Sequence, residues 1–184
     1  MTPEQHVLRW QELHGVEASP LVRRWLALVL RVSRPVAVVP AWAVTLAGLA
    51  VTVLTLAVPL RVAAVLVLLA GLLDGVDGCV ALLRGEASDR GRLLDHTADR
   101  LGELVLGALL WRAGAPVWTA VLAVALMLAV EAVRPAPVVT VGERPVRLLF
   151  TASALVVVPL VWTWALIALS GVAVAQLLRE RIVT

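Results

Sequence analysis

The sequence is poor in charged residues and in cysteine. Of its 184 residues 16% are charged, one is cysteine, and lysine, tyrosine and asparagine do not occur. A soluble domain carries a charge at roughly a quarter of its positions, so this balance disfavours an ordinary water-soluble fold. The single cysteine, Cys79, excludes an internal disulfide.

Hydrophobic residues, by contrast, make up 61% of the chain. They form apolar segments close to the 20 or so residues that a helix needs to cross a bilayer. We therefore expect an all-α integral membrane protein with six transmembrane helices. The expected spans lie near residues 36–58, 62–83, 93–111, 117–133, 146–160 and 161–178. The last two segments meet near Pro159 and could instead form one kinked span.

The arginines favour six spans over five. With six spans and both termini inside, most arginines fall on the cytoplasmic side, and only Arg61 and Arg112 fall outside. Five spans would move Arg179 and Arg181 to the outer side. The sequence thus predicts a multi-pass protein of the cell membrane with both termini in the cytoplasm. A composition rich in Ala, Val, Leu, Gly and Arg suggests a GC-rich genome, and we expect a bacterial source.

The first 34 residues differ from the rest of the chain. Tryptophans such as Trp10 and Trp25 alternate there with arginines such as Arg9 and Arg23, and Pro20 begins a second helix. This pattern is typical of an amphipathic helix at the membrane surface. We predict a cytoplasmic juxtamembrane segment over 1–34 and a six-span membrane domain over 35–184. The alternative is a helix packed on other parts of the protein.

Four aspartates lie in or beside the apolar segments. A carboxylate at bilayer depth costs roughly 2.5–3.5 kcal/mol on insertion scales, so acids placed there indicate a functional site. Asp74 and Asp77 are three residues apart, and Asp95 and Asp99 are four apart, so each pair shares one helix face. If the two faces meet, they form the oxygen-rich site that hard divalent cations prefer.

Small and basic residues surround these acids. Gly78 and Gly91 leave space for a phosphate group to approach the backbone, and Arg84, Arg90 and Arg92 lie between the two acidic helices. Arginine forms charge-assisted contacts with phosphate, so the segment suits an anionic ligand.

These positions resemble the signature of the CDP-alcohol phosphotransferase (CDP-alcohol phosphatidyltransferase) family. The pattern is Asp-x-x-Asp-Gly-x-x-Ala, followed by Gly-x-x-x-Asp-x-x-x-Asp. It is matched by Asp74, Asp77, Gly78, Ala81, Gly91, Asp95 and Asp99. One position departs from it, because Leu82 stands where the family usually has arginine.

The resemblance implies that a phosphatidyl group passes from a CDP-alcohol, expected to be CDP-diacylglycerol, to an alcohol acceptor in phospholipid biosynthesis, with release of CMP. Asp74, Asp77 and Asp95 would hold one or two Mg²⁺ or Mn²⁺ ions, and Asp99 would act as the general base. Geometry alone would equally allow Asp99 as a ligand to a second metal. The resemblance also implies a homodimer and a nucleotide site formed by Thr45, Gly78, Ala81, Arg84 and Gly91.

A basic stretch precedes the fifth span. Arg144 and Arg147 are three residues apart at the predicted helix start, and Arg134 lies upstream. We expect them to bind an acceptor phosphate, as in inositol phosphate or glycerol phosphate, helped by the helix N-terminus. The alternative is that they fix topology or contact anionic lipid headgroups.

Two other functions remain open from the sequence. A divalent-cation transporter could use the four aspartates, although acids of transporters more often lie near the bilayer midplane. The second alternative is a catalytically inactive relative of the family, and Leu82 is the sequence feature that supports it. The expected partners are the two substrates and membrane lipids, and no nucleic acid is expected.

Overall fold

The structure is a computed structural model that describes residues 2–14, 17–18, 20–86, 88–133, 144–157 and 159–183. Its described residues form helices joined by short turns, without strands. The helices are α1 (Pro3–His14), α2 (Pro20–Val36), α3 (Ala41–Leu54), α4 (Leu60–Arg84), α5 (Asp89–Arg112), α6 (Val117–Val133), α7 (Arg144–Val156) and α8 (Pro159–Val183). A 3-10 turn, Thr55–Ala57, follows α3. The predicted all-α class is confirmed.

Helices occupy all six segments predicted as spans, but their lengths differ. By length and composition, α4 and α8 can each cross a membrane. The pair α2–α3 could form a third span, although it is bent by 112°. α6 and α7 are apolar but have only 17 and 13 residues. A helix rises about 1.5 Å per residue, so these two are short for a hydrocarbon core about 30 Å thick. The protein is thus an all-helical membrane protein, and the count of six spans stays a prediction.

α3 occupies the position next to both acidic helices, because it packs against α4 and α5 alike. Far from the aspartates, α4, α5 and α7 meet in a hydrophobic cluster that contains Val67, Leu109 and Leu155. α5 also packs closely on α6: a Cβ added to Gly107 would lie 2.2 Å from a methyl carbon of Val124. These contacts fix α5 along its apolar half and leave its charged half to form the site.

Candidate active site

The turn between α4 and α5 brings the two acid pairs to the same end of the molecule. Gly85 ends α4 in the left-handed conformation (φ 65°), which glycine adopts without steric cost. The Glu86 N–H donates to the Ala81 carbonyl at 3.0 Å and closes the helix end. Ser88 then caps α5 by accepting a hydrogen bond from the Gly91 N–H at 3.2 Å. Acids near the end of α4 and near the start of α5 therefore lie close together.

Three of the four aspartates converge. Carboxylate oxygens of Asp74, Asp95 and Asp99 all lie within 4.8 Å of one another, and each residue is half-buried. The i, i+4 spacing places Asp95 and Asp99 on one face of α5, and that face meets α4 at Asp74. The spacing predicts that each acid pair shares a helix face, and in the structure the acidic face of α5 meets Asp74 of α4.

Asp77, the fourth aspartate, has a different environment. It is buried, with 6% of its surface exposed. The Thr45 hydroxyl on α3 donates a hydrogen bond of 2.6 Å to its Oδ2. A hydrogen bond that satisfies a buried carboxylate offsets part of the cost of removing it from water. Thr45, predicted to contact the nucleotide, is therefore positioned here to orient an acid.

Two adjoining cavities lie at the acids. The inner cavity, about 20 Å³, is large enough for one water or ion. The outer cavity is open and measures about 660 Å³, within the range of small-molecule and cofactor sites. Both cavities are lined by Thr45, Asp77 and Asp95. A ligand in the outer cavity would thus lie directly beside the acid cluster.

The outer cavity has an apolar wall where the family pattern has arginine. Leu82 lines it and is 40% exposed. Trp42, Gly78 and Ala81 also line it, and a Cβ added to Gly78 would meet nothing within 4 Å. Packing therefore does not require glycine at residue 78, and the space beside it belongs to the cavity. Leu82 therefore presents an apolar side chain to the outer cavity at the position where the family pattern has a guanidinium.

Arg84, predicted to contact the nucleotide, is engaged elsewhere. One of its nitrogens donates to the Ala37 carbonyl at 2.8 Å, and the other lies 2.6 Å from the Glu86 carboxylate. The hydrogen bond from Arg84 lowers the pKa of Glu86. Among the described residues, Arg90 and Arg92 line the outer cavity instead, together with the predicted Gly91.

Arg147, predicted to bind the acceptor, lies in the interior with 1% of its surface exposed. Its Nη2 is 2.8 Å from Glu131 and 3.2 Å from Glu103. A guanidinium that is buried and paired in this way is not available to an acceptor. Arg144 begins α7, but its side chain lies outside the described residues, as does Arg134.

Neither Glu103 nor Glu131 was among the site residues predicted from the sequence. Glu103 is one helical turn beyond Asp99, so it continues the acidic face of α5, and this spacing could have identified it. Glu131 is an acid within a predicted span, which is itself a signal. Neither position indicates that the two would share one arginine, because that pairing depends on how three helices pack.

The acid cluster fits a hard divalent cation. It offers carboxylate oxygens at close range beside an ion-sized cavity, which is the donor chemistry that Mg²⁺ and Mn²⁺ prefer. Asp99 belongs to this cluster, so both of its predicted roles, general base and ligand, agree with its position.

The helical membrane fold and the acid cluster place this protein among membrane proteins whose site suits a divalent cation. The model of the CDP-alcohol phosphatidyltransferase family matches residues 24–178. This match covers most of the chain, and the protein belongs to the CDP-alcohol phosphatidyltransferase family. The recognition from the signature is thereby confirmed. A comparison with curated proteins found no match. Family membership makes the protein a membrane transferase that moves a phospho-alcohol group from a CDP-alcohol to an alcohol acceptor.

Proposed function

We propose that the protein transfers a phosphatidyl group from CDP-diacylglycerol to an alcohol acceptor and releases CMP, as a step of phospholipid biosynthesis. The observation that carries this proposal is the junction of the two cavities. The outer cavity of about 660 Å³ has room for a nucleotide. It adjoins the cluster of Asp74, Asp95 and Asp99, which can neutralise a diphosphate through bound cations.

The chain's own residues have distinct tasks in this reaction. Asp74, Asp77 and Asp95 would hold one or two Mg²⁺ or Mn²⁺ ions. When bound, the metal supplies charge stabilisation for the diphosphate and the departing CMP. Thr45 fixes the carboxylate of Asp77 through its hydrogen bond. The cavity wall at Gly78 and its neighbours admits the nucleotide.

Asp99 acts on the acceptor. The acceptor hydroxyl oxygen forms a bond to the lipid-side phosphorus of the CDP-lipid, and the bond from that phosphorus to the CMP oxygen breaks. The hydroxyl proton passes to the Asp99 carboxylate, so atoms and charge balance. General-base assistance of this kind typically contributes roughly 10²–10⁴-fold to the rate. This role for Asp99 rests on the resemblance to the family signature together with its position in the cluster.

The acceptor we propose is a phosphorylated polyol such as inositol phosphate or glycerol phosphate. The support comes from Arg144 at the start of α7 and from Arg134 upstream, since an anionic acceptor needs charge-assisted contacts. Arg147 is left out because it is buried between two glutamates.

We further propose six spans over residues 35–184 and a cytoplasmic juxtamembrane segment over 1–34. The acid cluster then lies on the cytoplasmic side of the cell membrane, where nucleotide-activated lipids are available. Support comes from the arginine distribution and from the 112° bend between α2 and α3, which separates the amphipathic helix from the first apolar one. A homodimer is proposed from the family resemblance.

The test is CMP release by the purified protein in lipid nanodiscs. CDP-diacylglycerol is supplied with Mg²⁺ or Mn²⁺ and a panel of phosphorylated and neutral alcohols. We expect CMP release that needs both the metal and one acceptor of the panel. Release with no preference for any alcohol, or none with all of them, contradicts the proposal. A divalent-cation transporter would instead show metal flux into sealed vesicles without nucleotide turnover.

A further inference from the structure

A buried ion network joins α5, α6 and α7 behind the acid cluster. Arg147 of α7 lies at its centre, with Nη2 at 2.8 Å from Oε1 of Glu131 on α6 and at 3.2 Å from Oε1 of Glu103 on α5. Its Nη1 also donates a hydrogen bond of 3.0 Å to the Met127 carbonyl on α6. One guanidinium therefore connects three helices, and its planar fork fixes the direction of each contact.

Glu103 links this network to the acids of the site. It follows Asp99 by four residues and Asp95 by eight, so the three carboxylates lie along one face of α5. Its carboxylate is 2% exposed. A rotation or shift of α5 that broke the contact of Glu103 with Arg147 would move Asp95 and Asp99 with it.

Arg147 also neutralises negative charge, because it is paired with Glu103 and Glu131. Without Arg147, the carboxylate of Glu103 would remain in the interior, one helical turn from Asp99 of a cluster that is already acidic. A buried charge whose partner is removed is strongly unfavourable, and the surrounding helices rearrange to relieve it. Arg100, half-buried on α5, is the other cation whose charge acts on Glu103 among the described residues.

We propose that Arg147 is a positioning residue for the acid cluster: acting through Glu103, it holds α5 in the rotation at which Asp95 and Asp99 meet Asp74. This inference rests on the proposed function, in which Asp74 and Asp95 of that cluster help to bind the divalent cation. Partners that orient metal ligands from outside typically contribute about 10–100-fold to metal affinity or activity.

The experiment uses the full-length protein in nanodiscs and three measurements: Mn²⁺ affinity without substrates, kcat for CMP release, and the thermal unfolding midpoint. The variants are Arg147→Met, which removes the charge, and Arg147→Lys, which keeps the charge but loses the fork. We expect both to bind Mn²⁺ about ten-fold or more weakly than the wild type and to lose kcat in parallel.

Arg112→Met is the matched control. Arg112 lies at the far end of α5 and donates to the carbonyls of Thr55, Leu56 and Val58. Its removal also takes away an arginine that ties α5 to another segment. We expect a lower unfolding midpoint with unchanged Mn²⁺ affinity.

The possible outcomes distinguish a positioning role of Arg147 from a purely structural one. If both Arg147 variants lower only the unfolding midpoint, as the control does, Arg147 is structural and the proposal is overturned. If Arg147→Lys binds Mn²⁺ like the wild type, charge alone acts, and the positioning role is again overturned. If the Arg147 variants do not fold, Glu103→Gln removes the charge through which Arg147 is proposed to act, and unchanged Mn²⁺ affinity in that variant contradicts the proposal. A wild type that neither binds Mn²⁺ nor releases CMP overturns the proposed function itself, which separates the two failures.

Discussion

Asp77 and the three converging aspartates have the same side chain in different settings. Asp77 is buried and accepts a hydrogen bond from Thr45, whereas Asp74, Asp95 and Asp99 are half-buried with their oxygens close together. A carboxylate held by a protein donor is fixed in direction. Three carboxylates whose oxygens lie within 4.8 Å of one another favour a cation, because their mutual repulsion must be neutralised. The difference indicates one oriented acid beside the outer cavity and three acids whose closeness would suit a cation.

The largest effect is expected at the converging acids. Asp95→Asn replaces one carboxylate of the cluster with a neutral amide of nearly the same size. We expect metal affinity to fall by more than the roughly 100-fold seen for outer partners, and CMP release to be lost. Mn²⁺ titration of the nanodisc protein measures the first and a CMP assay the second. If Asp95→Asn keeps the Mn²⁺ affinity of the wild type and Asp77→Asn loses it, then Asp77 and not Asp95 is the more important metal ligand.

Asp99→Asn separates two possible roles of an acid in the cluster. Asp99 lies in the cluster with Asp74 and Asp95, but it is proposed to accept a proton and not to hold the metal. We expect kcat to fall by roughly 10²–10⁴-fold while Mn²⁺ and the CDP-lipid still bind. The two measurements are taken on the same preparation. If more than about a tenth of the wild-type kcat remains, Asp99 is not the general base. A loss of Mn²⁺ affinity as large as that of Asp95→Asn would make it a ligand.

Thr45→Val tests the oriented acid. The change keeps the shape of the side chain but removes the donor to Asp77. A hydrogen bond to a charged group contributes roughly 1.5–3 kcal/mol, so we expect about a ten-fold or greater loss in kcat/KM. Thr52→Val is the control, since Thr52 lines the inner cavity but donates to the Gly48 carbonyl of its own helix. Equal losses in the two variants would argue against a special role for Thr45.

Arg144, at the start of α7, is proposed to bind the acceptor. Arg144→Ala should raise the acceptor KM by about ten-fold and leave the KM for the CDP-lipid nearly unchanged, because a charge-assisted contact contributes roughly 1.5–3 kcal/mol. Steady-state kinetics with each substrate varied in turn measure both constants. Equal changes for the two substrates, or none, would contradict an acceptor site at Arg144.

The smallest effect is expected at Leu82. Leu82→Arg places a guanidinium in the outer cavity where the family pattern has one, and we expect a several-fold lower KM for the CDP-lipid. Leu82→Gln, of similar length without charge, is the control. An unchanged KM for the arginine variant would mean that the nucleotide does not lie against this wall.

Local spacing predicted much of the site, and packing determined the rest. The positions of the helices followed from the apolar segments. Helical periodicity predicted that Asp95 and Asp99 share one face of α5, whereas the meeting of that face with Asp74 depends on how the helices pack. The direction of Arg84 did not follow from local spacing, because its contact with the Ala37 carbonyl joins residues 47 positions apart. The pairing of Arg147 also depends on tertiary structure, since its partners lie on α5 and α6. The number of spans stayed open because α6 and α7 are shorter than the bilayer core requires, and because the longer α5 is not among the helices apolar enough to cross a membrane.

The central claim is that Asp74, Asp77 and Asp95 bind the divalent cation on which transfer depends. Its most direct test titrates Mn²⁺ into metal-free wild-type protein in nanodiscs and records bound Mn²⁺ and CMP release on the same samples. We predict that the two curves rise together and that Asp95→Asn shifts both. CMP release at full rate without a divalent cation, or in Asp95→Asn, would contradict the claim.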